Sequence, residues 1–139
     1  MILELLDKDY TVYKLSVKEE IDSKIIGNDF ISITKTEDEI SIVTVSGAIK
    51  YFEKKEENWK LFKISGILDF NLIRIISKIS AILAAQEISI FVMSTYNTDY
   101  IMVKKDNLEK TIKVLEQNEY VIKKNKYFIK LEVNNNYCF

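Results

Sequence analysis

Residues Ile88 to Val103 read ISIFVMSTYNTDYIMV. Ile88 to Met93 is an almost unbroken apolar run, and Tyr100 to Val103 is a second one. Between them lies a polar corner, Ser94-Thr95-Tyr96-Asn97-Thr98-Asp99. Aromatic and β-branched residues on both sides of a short polar break predict two strands joined by a tight connection. Ile88 to Met93 carries apolar side chains at both odd and even positions, which predicts a strand covered on both faces. A corner held by two such strands can present hydroxyls and one carboxylate in a fixed geometry.

Upstream of this pair, Leu72, Ile75, Ile76, Ile79, Ile82 and Leu83 recur at helical spacing, with Arg74, Lys78 and Ala81 on another face. Asp69 or Asn71 can cap the start of that helix. Trp59 to Ser65 (WKLFKIS) reads as a strand ended by Gly66. Downstream, Asp106-Asn107-Leu108-Glu109 has the form of a capping box with Asp at the cap. Leu108, Ile112 and Leu115 then supply the buried stripe of a second helix ending near Asn118, and Tyr120 to Lys123 reads as a strand. The order from Trp59 to Lys123 is β-α-β-β-α-β, the ferredoxin-like plan of the α+β class, an antiparallel sheet with two helices on one face.

The first part of the chain repeats this plan in shortened form. Tyr10 to Val17 predicts a strand and Lys18 to Ile26 a short helix, with Gly27 at a left-handed cap. Phe30 to Thr34 and Glu39 to Val45 alternate in period two and predict a hairpin, closed by Ser46-Gly47. Ala48 to Phe52 fits a short helix or an irregular run equally well. Glu53 to Asn58 (EKKEEN) is the most hydrophilic window, read as a solvated loop and the best internal boundary. The expected organisation is an N-terminal unit at 1–57, a second unit at 58–125, and a last strand with a tail at 126–139. Strand Tyr127 to Val133 could complete the first unit or add a fifth strand to the second.

The 139 residues are 47% hydrophobic and 29% charged, a globular balance. Twenty basic and twenty-one acidic residues are spread along the chain for a net charge of −1, so no basic stripe marks a nucleic-acid partner. Histidine is absent and the lone cysteine is Cys138, which removes the usual general base, the commonest zinc ligand and any disulfide framework. Met1 to Leu6 is short and acidic for a signal peptide, and Arg74 and Lys78 interrupt the best apolar run. The expectation is a cytoplasmic protein that neither enters a membrane nor binds nucleic acid.

Gly27, Gly47 and Gly66 lie far apart, so no phosphate loop or dinucleotide fingerprint forms. No catalytic residue, metal ligand or cofactor site emerges, and the expectation is a non-catalytic protein. A binding site is easier to draw. Gly66, Ile67, Leu68, Asp69 and Phe70 feed a helix whose first N–H groups lack partners and attract a carboxylate. Asp99 with the hydroxyls of Ser94, Thr95 and Thr98 can accept hydrogen bonds from an ammonium group. Together they suit a zwitterion such as a free α-amino acid. Asp69 as a plain cap and Asp99 as a plain turn residue remain the simpler reading of the same residues.

Three segments carry a family resemblance. Phe30 to Val43 (FISITKTEDEISIV), Trp59 to Phe70 (WKLFKISGILDF) and Ile88 to Val103 resemble, in this order, signatures of small ACT-domain proteins related to the CASTOR arginine sensors. The resemblance covers most of residues 10–118. It implies tandem ACT-like units, amino-acid sensing rather than catalysis, and homodimers formed through sheets or helices. It also implies a ligand between units, held at Gly66 to Phe70 and by Asp99, with Tyr96 matching an aromatic of the same corner. Leu72 stands where the arginine sensors carry a glutamate, and a leucine cannot pair with a guanidinium, so arginine is disfavoured. Two other readings stay open: an ACT-like dimerisation or docking module without ligand, and an enzyme, because small α+β folds host many chemistries.

Overall fold

The computed structural model describes residues 2–65 and 72–124. Its elements are β1 (Ile2–Leu5), β2 (Tyr10–Leu15), a 3-10 turn (Ser23–Gly27), β3 (Ile31–Lys35), β4 (Ile40–Val45), β5 (Lys54–Ser65), α1 (Leu72–Ala85), β6 (Ile90–Ser94), β7 (Asp99–Lys104), a 3-10 turn (Lys105–Asn107), α2 (Leu108–Gln117) and β8 (Val121–Lys124). The chain divides into two compact units, Lys8–Trp59 and a second made of Met1–Asp7 with Lys60–Phe139. The expected division at residues 57 and 58 assigned the first residues to the other unit. The expected strand Tyr127 to Val133 lies outside the described residues.

In the unit Lys8–Trp59 the strand order is β3-β4-β2-β5, with all three pairings antiparallel. The hairpin of β3 and β4 is the expected one, in register from Ile31↔Thr44 to Lys35↔Ile40. Its turn is held by the Thr36 N–H on the Glu39 carbonyl at 2.9 Å. The strand that closes this sheet is the first half of β5, which corrects the loop reading of Glu53 to Asn58. Lys54 to Asn58 are all exposed, so no apolar alternation betrays the strand. Backbone pairing to β2 from Lys14↔Lys54 to Tyr10↔Trp59 supplies what the side chains do not. Lys55 adds an ion pair with Glu57 and sits over the Phe52 ring.

The register between β2 and β5 shifts between Tyr10 and Val12. One residue of β2 there, Thr11, opposes two of β5, Glu57 and Asn58, a bulge with Asn58 at φ 67°. Asparagine tolerates this left-handed backbone better than most residues. Beyond the bulge, Trp59, Leu61, Phe62 and Ile64 are buried.

The helical expectations for this unit need correction. Only Ser23–Gly27 is helical, as a 3-10 turn with no buried residue, its start capped by Asp22 accepting from the Lys24 N–H. Two apolar contacts from Ile21 and Ile25 are too little to hold a full helix on the sheet. Gly27 does not adopt the left-handed backbone expected of it; Gly47 does, at φ 84°, in the turn after β4. The Gly47 N–H donates to the buried Tyr13 hydroxyl at 2.9 Å. The run Ala48 to Phe52 is not helical.

In the other unit, β1 lies between β5 and β8, antiparallel to the first and parallel to the second. β7 pairs β5, and β6 pairs β7. This is the four-strand order of the ferredoxin-like plan with one strand inserted. That inserted strand, Ile2–Leu5, was not expected: four residues are too few for a periodic signal. Leu3 and Leu5 nonetheless join Phe62, Ile64, Ile79, Leu83, Ile101, Val103 and Leu115 in one core, so both helices cover the same face of the sheet.

Both helices end in the same way. After α1, the Ile88 N–H reaches the Leu83 carbonyl and the Glu87 N–H that of Ala84; after α2, Tyr120 reaches Leu115 and Glu119 reaches Glu116. Glu87 and Glu119 take φ of 58° and 69°. These are Schellman caps with glutamate where glycine is usual, and the following Ile88 and Tyr120 are buried in the core. At the start of α2 the expected capping box is absent. Asp106 sits in the preceding 3-10 turn, and Asn107 caps α2 without a side-chain bond.

Leu3→Ala should cost roughly 2–5 kcal/mol in urea denaturation if β1 is a core strand; a change near zero would show a dispensable end. Glu87→Gly and Glu119→Gly should each raise stability by about 0.5–1 kcal/mol, because glycine relieves the left-handed backbone.

Candidate functional site

The polar corner is built on the pairing of β6 with β7, which runs from Ile90↔Val103 to Ser94↔Asp99. β6 is not covered on both faces as expected. None of its five residues is buried, and β7 is its one strand partner among the described residues. Ile88, expected in the strand, is instead the buried residue that closes the α1 cap. β7, by contrast, buries Ile101, Met102 and Val103, and it fixes the corner.

The corner is closed by its own threonines. The Thr95 N–H donates to the Thr98 carbonyl at 2.8 Å. The Thr95 hydroxyl donates to the same carbonyl at 3.0 Å and accepts from the Thr98 N–H at 3.2 Å. The Thr98 hydroxyl donates to the Ile64 carbonyl on β5, which ties the corner to the end of that strand. Both hydroxyl protons are therefore committed, and what Thr98 has left to offer a ligand is an acceptor lone pair.

A cleft of about 350 Å³ opens here, lined by Lys63, Ser65, Thr95, Asn97, Thr98 and Tyr100 beside Ile64. Of the expected site residues, Thr95 and Thr98 are brought together in it. Ser94, Tyr96 and Asp99 are not among its lining residues, and Tyr96 is wholly exposed, at 101%. Asp99 is buried, at 8% exposure, directly behind Thr98 in the chain. Among the described residues no ion pair reaches its carboxylate. Gly66, Ile67, Leu68, Asp69 and Phe70 lie outside the described residues, as do Asn71 and the expected cap of α1; Leu72 is the first residue of α1.

Sequence reasoning missed Lys63, Asn97 and Tyr100. Lys63 alternates with Phe62 and Ile64 along β5, and that alternation places it on the opposite face from the core. The expected site set the segment after Ser65 beside the corner, but no local signal marked Lys63 as part of it. Among the described residues no group of three or more acidic or thiol side chains could hold a metal ion, and no helix is long and apolar enough to cross a membrane.

Comparison with known proteins places these features. A family model of the ACT domain matches residues 54–117, from the first residue of β5 to the last of α2. A second family model, of an N-terminal domain, matches residues 8–50. Protein Atu0741 from Agobacterium tumefaciens has a crystal structure that is 31% identical over 89% of this chain and 92% of that one, with a TM-score of 0.82.

Residues 54–117 of the chain form an ACT domain.

The regulatory subunit of aspartate kinase from Thermus thermophilus, in its ligand-free form, shares the fold at 11% identity and a TM-score of 0.58, over 79% of this chain and 92% of that one. Aspartokinase alpha and beta subunits share it at 14% identity and 0.62, over 84% and 91%. At these identities the likeness concerns the fold alone. A search of curated proteins finds no match. The ACT match takes in Lys54 to Asn58, the charged half of β5 that also pairs with β2.

Thr98→Val should lower stability by about 1 kcal/mol by stranding the Ile64 carbonyl. Tyr96→Ala should stay within about 0.5 kcal/mol, since its ring packs on nothing. Thermal or urea denaturation of the two variants checks both.

Proposed function

We propose that this protein is a non-catalytic regulatory module that binds a free amino acid or similar zwitterion at the end of β5. The observation that carries the reading is the cleft at the end of β5, where Lys63 meets the threonines of a corner pinned to that strand by Thr98. Asp99 follows Thr98 directly in the chain, and its carboxylate is the group assigned to the ligand's ammonium. Lys63 in the cleft offers the opposite charge for a carboxylate. Gly66 to Phe70 follow Ser65 directly in the chain, which supports assigning the N–H donors of that turn to the same ligand.

The regulatory reading draws on the ACT match and on the fold shared with the regulatory subunit of an aspartate kinase. The absence of histidine and the position of Cys138 favour binding over catalysis. The finer kinship with arginine sensors is part of the proposal only as amino-acid sensing, because Leu72 replaces the glutamate that arginine would need. A cytoplasmic homodimer fits the same reading, with β6 as a contact strand: its outer edge has no strand partner among the described residues, and Val92 is exposed.

A thermal-shift screen of the common amino acids at millimolar concentration should raise the melting temperature with one or a few of them. Failure of all of them would count against the proposal. Asp99→Asn should weaken the hit roughly 10- to 100-fold by removing a charge-assisted bond. Unchanged affinity would clear Asp99 of this role. Light scattering should give twice the mass of one chain, and a monomer would remove the dimer.

A further inference from the structure

A separate cleft of about 460 Å³ lies wholly within Lys8–Trp59, over the face of the sheet formed by Leu15 and Ile42. In the ferredoxin-like plan two helices would cover this face. Here one connection is a 3-10 turn that buries nothing and the other, after Gly47, is not helical. The floor is apolar: Leu15, Ile42 and Ile49 are buried, with Ile21 and Ile25 half-buried beside them.

The charged groups that line the cleft are all exposed, and their charges are unequal. Glu19, Glu20 and Asp22 line it together with Lys24 and Lys50. An adjoining hollow shares Leu15, Glu19, Lys50 and Tyr51 with the first and adds Glu53. The two hollows together carry four carboxylates against two lysines, a net charge of −2. The Tyr51 ring stands at the lip, 81% exposed.

We propose that this cleft is a second small-molecule site, for an amine with an aliphatic or aryl-alkyl body. The buried and half-buried Leu15, Ile21, Ile25, Ile42 and Ile49 take hydrocarbon and gain by excluding water, and the half-buried Asn28 beside them already donates to the Ile25 carbonyl at 2.9 Å. The excess of carboxylates at the rim attracts an ammonium head, and the exposed Tyr51 ring offers it a cation–π face. Lys24 and Lys50 can extend their flexible stems toward water and leave the rim to the acids. The site rests on residues of Lys8–Trp59 alone and is independent of the corner at Ser94 to Asp99.

The test is isoleucine-methyl NMR on the full-length chain, titrated separately with phenethylamine, 3-phenylpropanoate and L-phenylalanine. The first two share a phenylethyl body with opposite head charges. Phenethylamine should shift the Ile42 and Ile49 methyl signals saturably while leaving Ile101 in place. 3-Phenylpropanoate should bind at least about tenfold more weakly, and a Glu19→Gln, Glu20→Gln double variant should weaken phenethylamine about fivefold. Both substitutions are at exposed positions, so the variant's spectrum also reports that the fold is intact. No saturable shift would overturn the site. Equal or tighter binding of the carboxylate or of L-phenylalanine would overturn the cationic assignment, as would unchanged affinity in the double variant.

Discussion

The structure depends on the backbone pairing of one long strand, β5. Its twelve residues pair with β2 in the first half and with β1 in the second. The first half closes the sheet of Lys8–Trp59, and the second half is the opening strand of the other unit's βαββαβ order. A bulge at Asn58 separates the two halves. Before it the strand is charged and exposed, held by its ladder and by the Lys55 pairing. After it the strand is mostly buried, with Phe62 and Ile64 in the core under the helices and Lys63 lining the cleft at its end.

This sharing explains why a short chain can carry two units. A ferredoxin-like unit needs four paired strands, and a second unit would ordinarily need four more. Using one continuous strand twice removes a connection and its ordering cost. The strand Ile2–Leu5 then enters between β5 and β8 and adds Leu3 and Leu5 to the core under the helices. The unit Lys8–Trp59 is thus an excursion between two strands of the other unit. Its helices have shrunk to a 3-10 turn and an irregular run, and the sheet face they leave is the floor of the second cleft.

Much of the ACT unit was legible from periodicity. The apolar spacing in α1 and α2, the strand Trp59 to Ser65 and the pair around the polar corner each carry a local signal that burial on one face imposes. The elements that were missed lacked such a signal. Lys54 to Asn58 is exposed on both faces, so its strand comes from a partner distant in sequence. Ile2–Leu5 is too short to show a period. The two Schellman caps use glutamate, which composition-based reading does not take for a left-handed residue; the buried Ile88 and Tyr120 that follow repay the backbone cost.

By itself the sequence determined the fold class, the two helices of the ACT unit and the polar corner, because each rests on contacts that repeat along a few turns or strand positions. It also excluded histidine chemistry and a disulfide framework, since those need residues the chain lacks. Only the tertiary structure decided that β5 pairs with both β2 and β1, that the Thr98 hydroxyl holds the Ile64 carbonyl, and that Lys63 shares a cleft with Thr95 and Thr98. Each of these depends on backbone groups and side chains about thirty or more residues apart, and no local pattern encodes a register between such partners. The stretch Ile88 to Val103 predicted a corner; the pairing of its second strand with β5 gave that corner something to face.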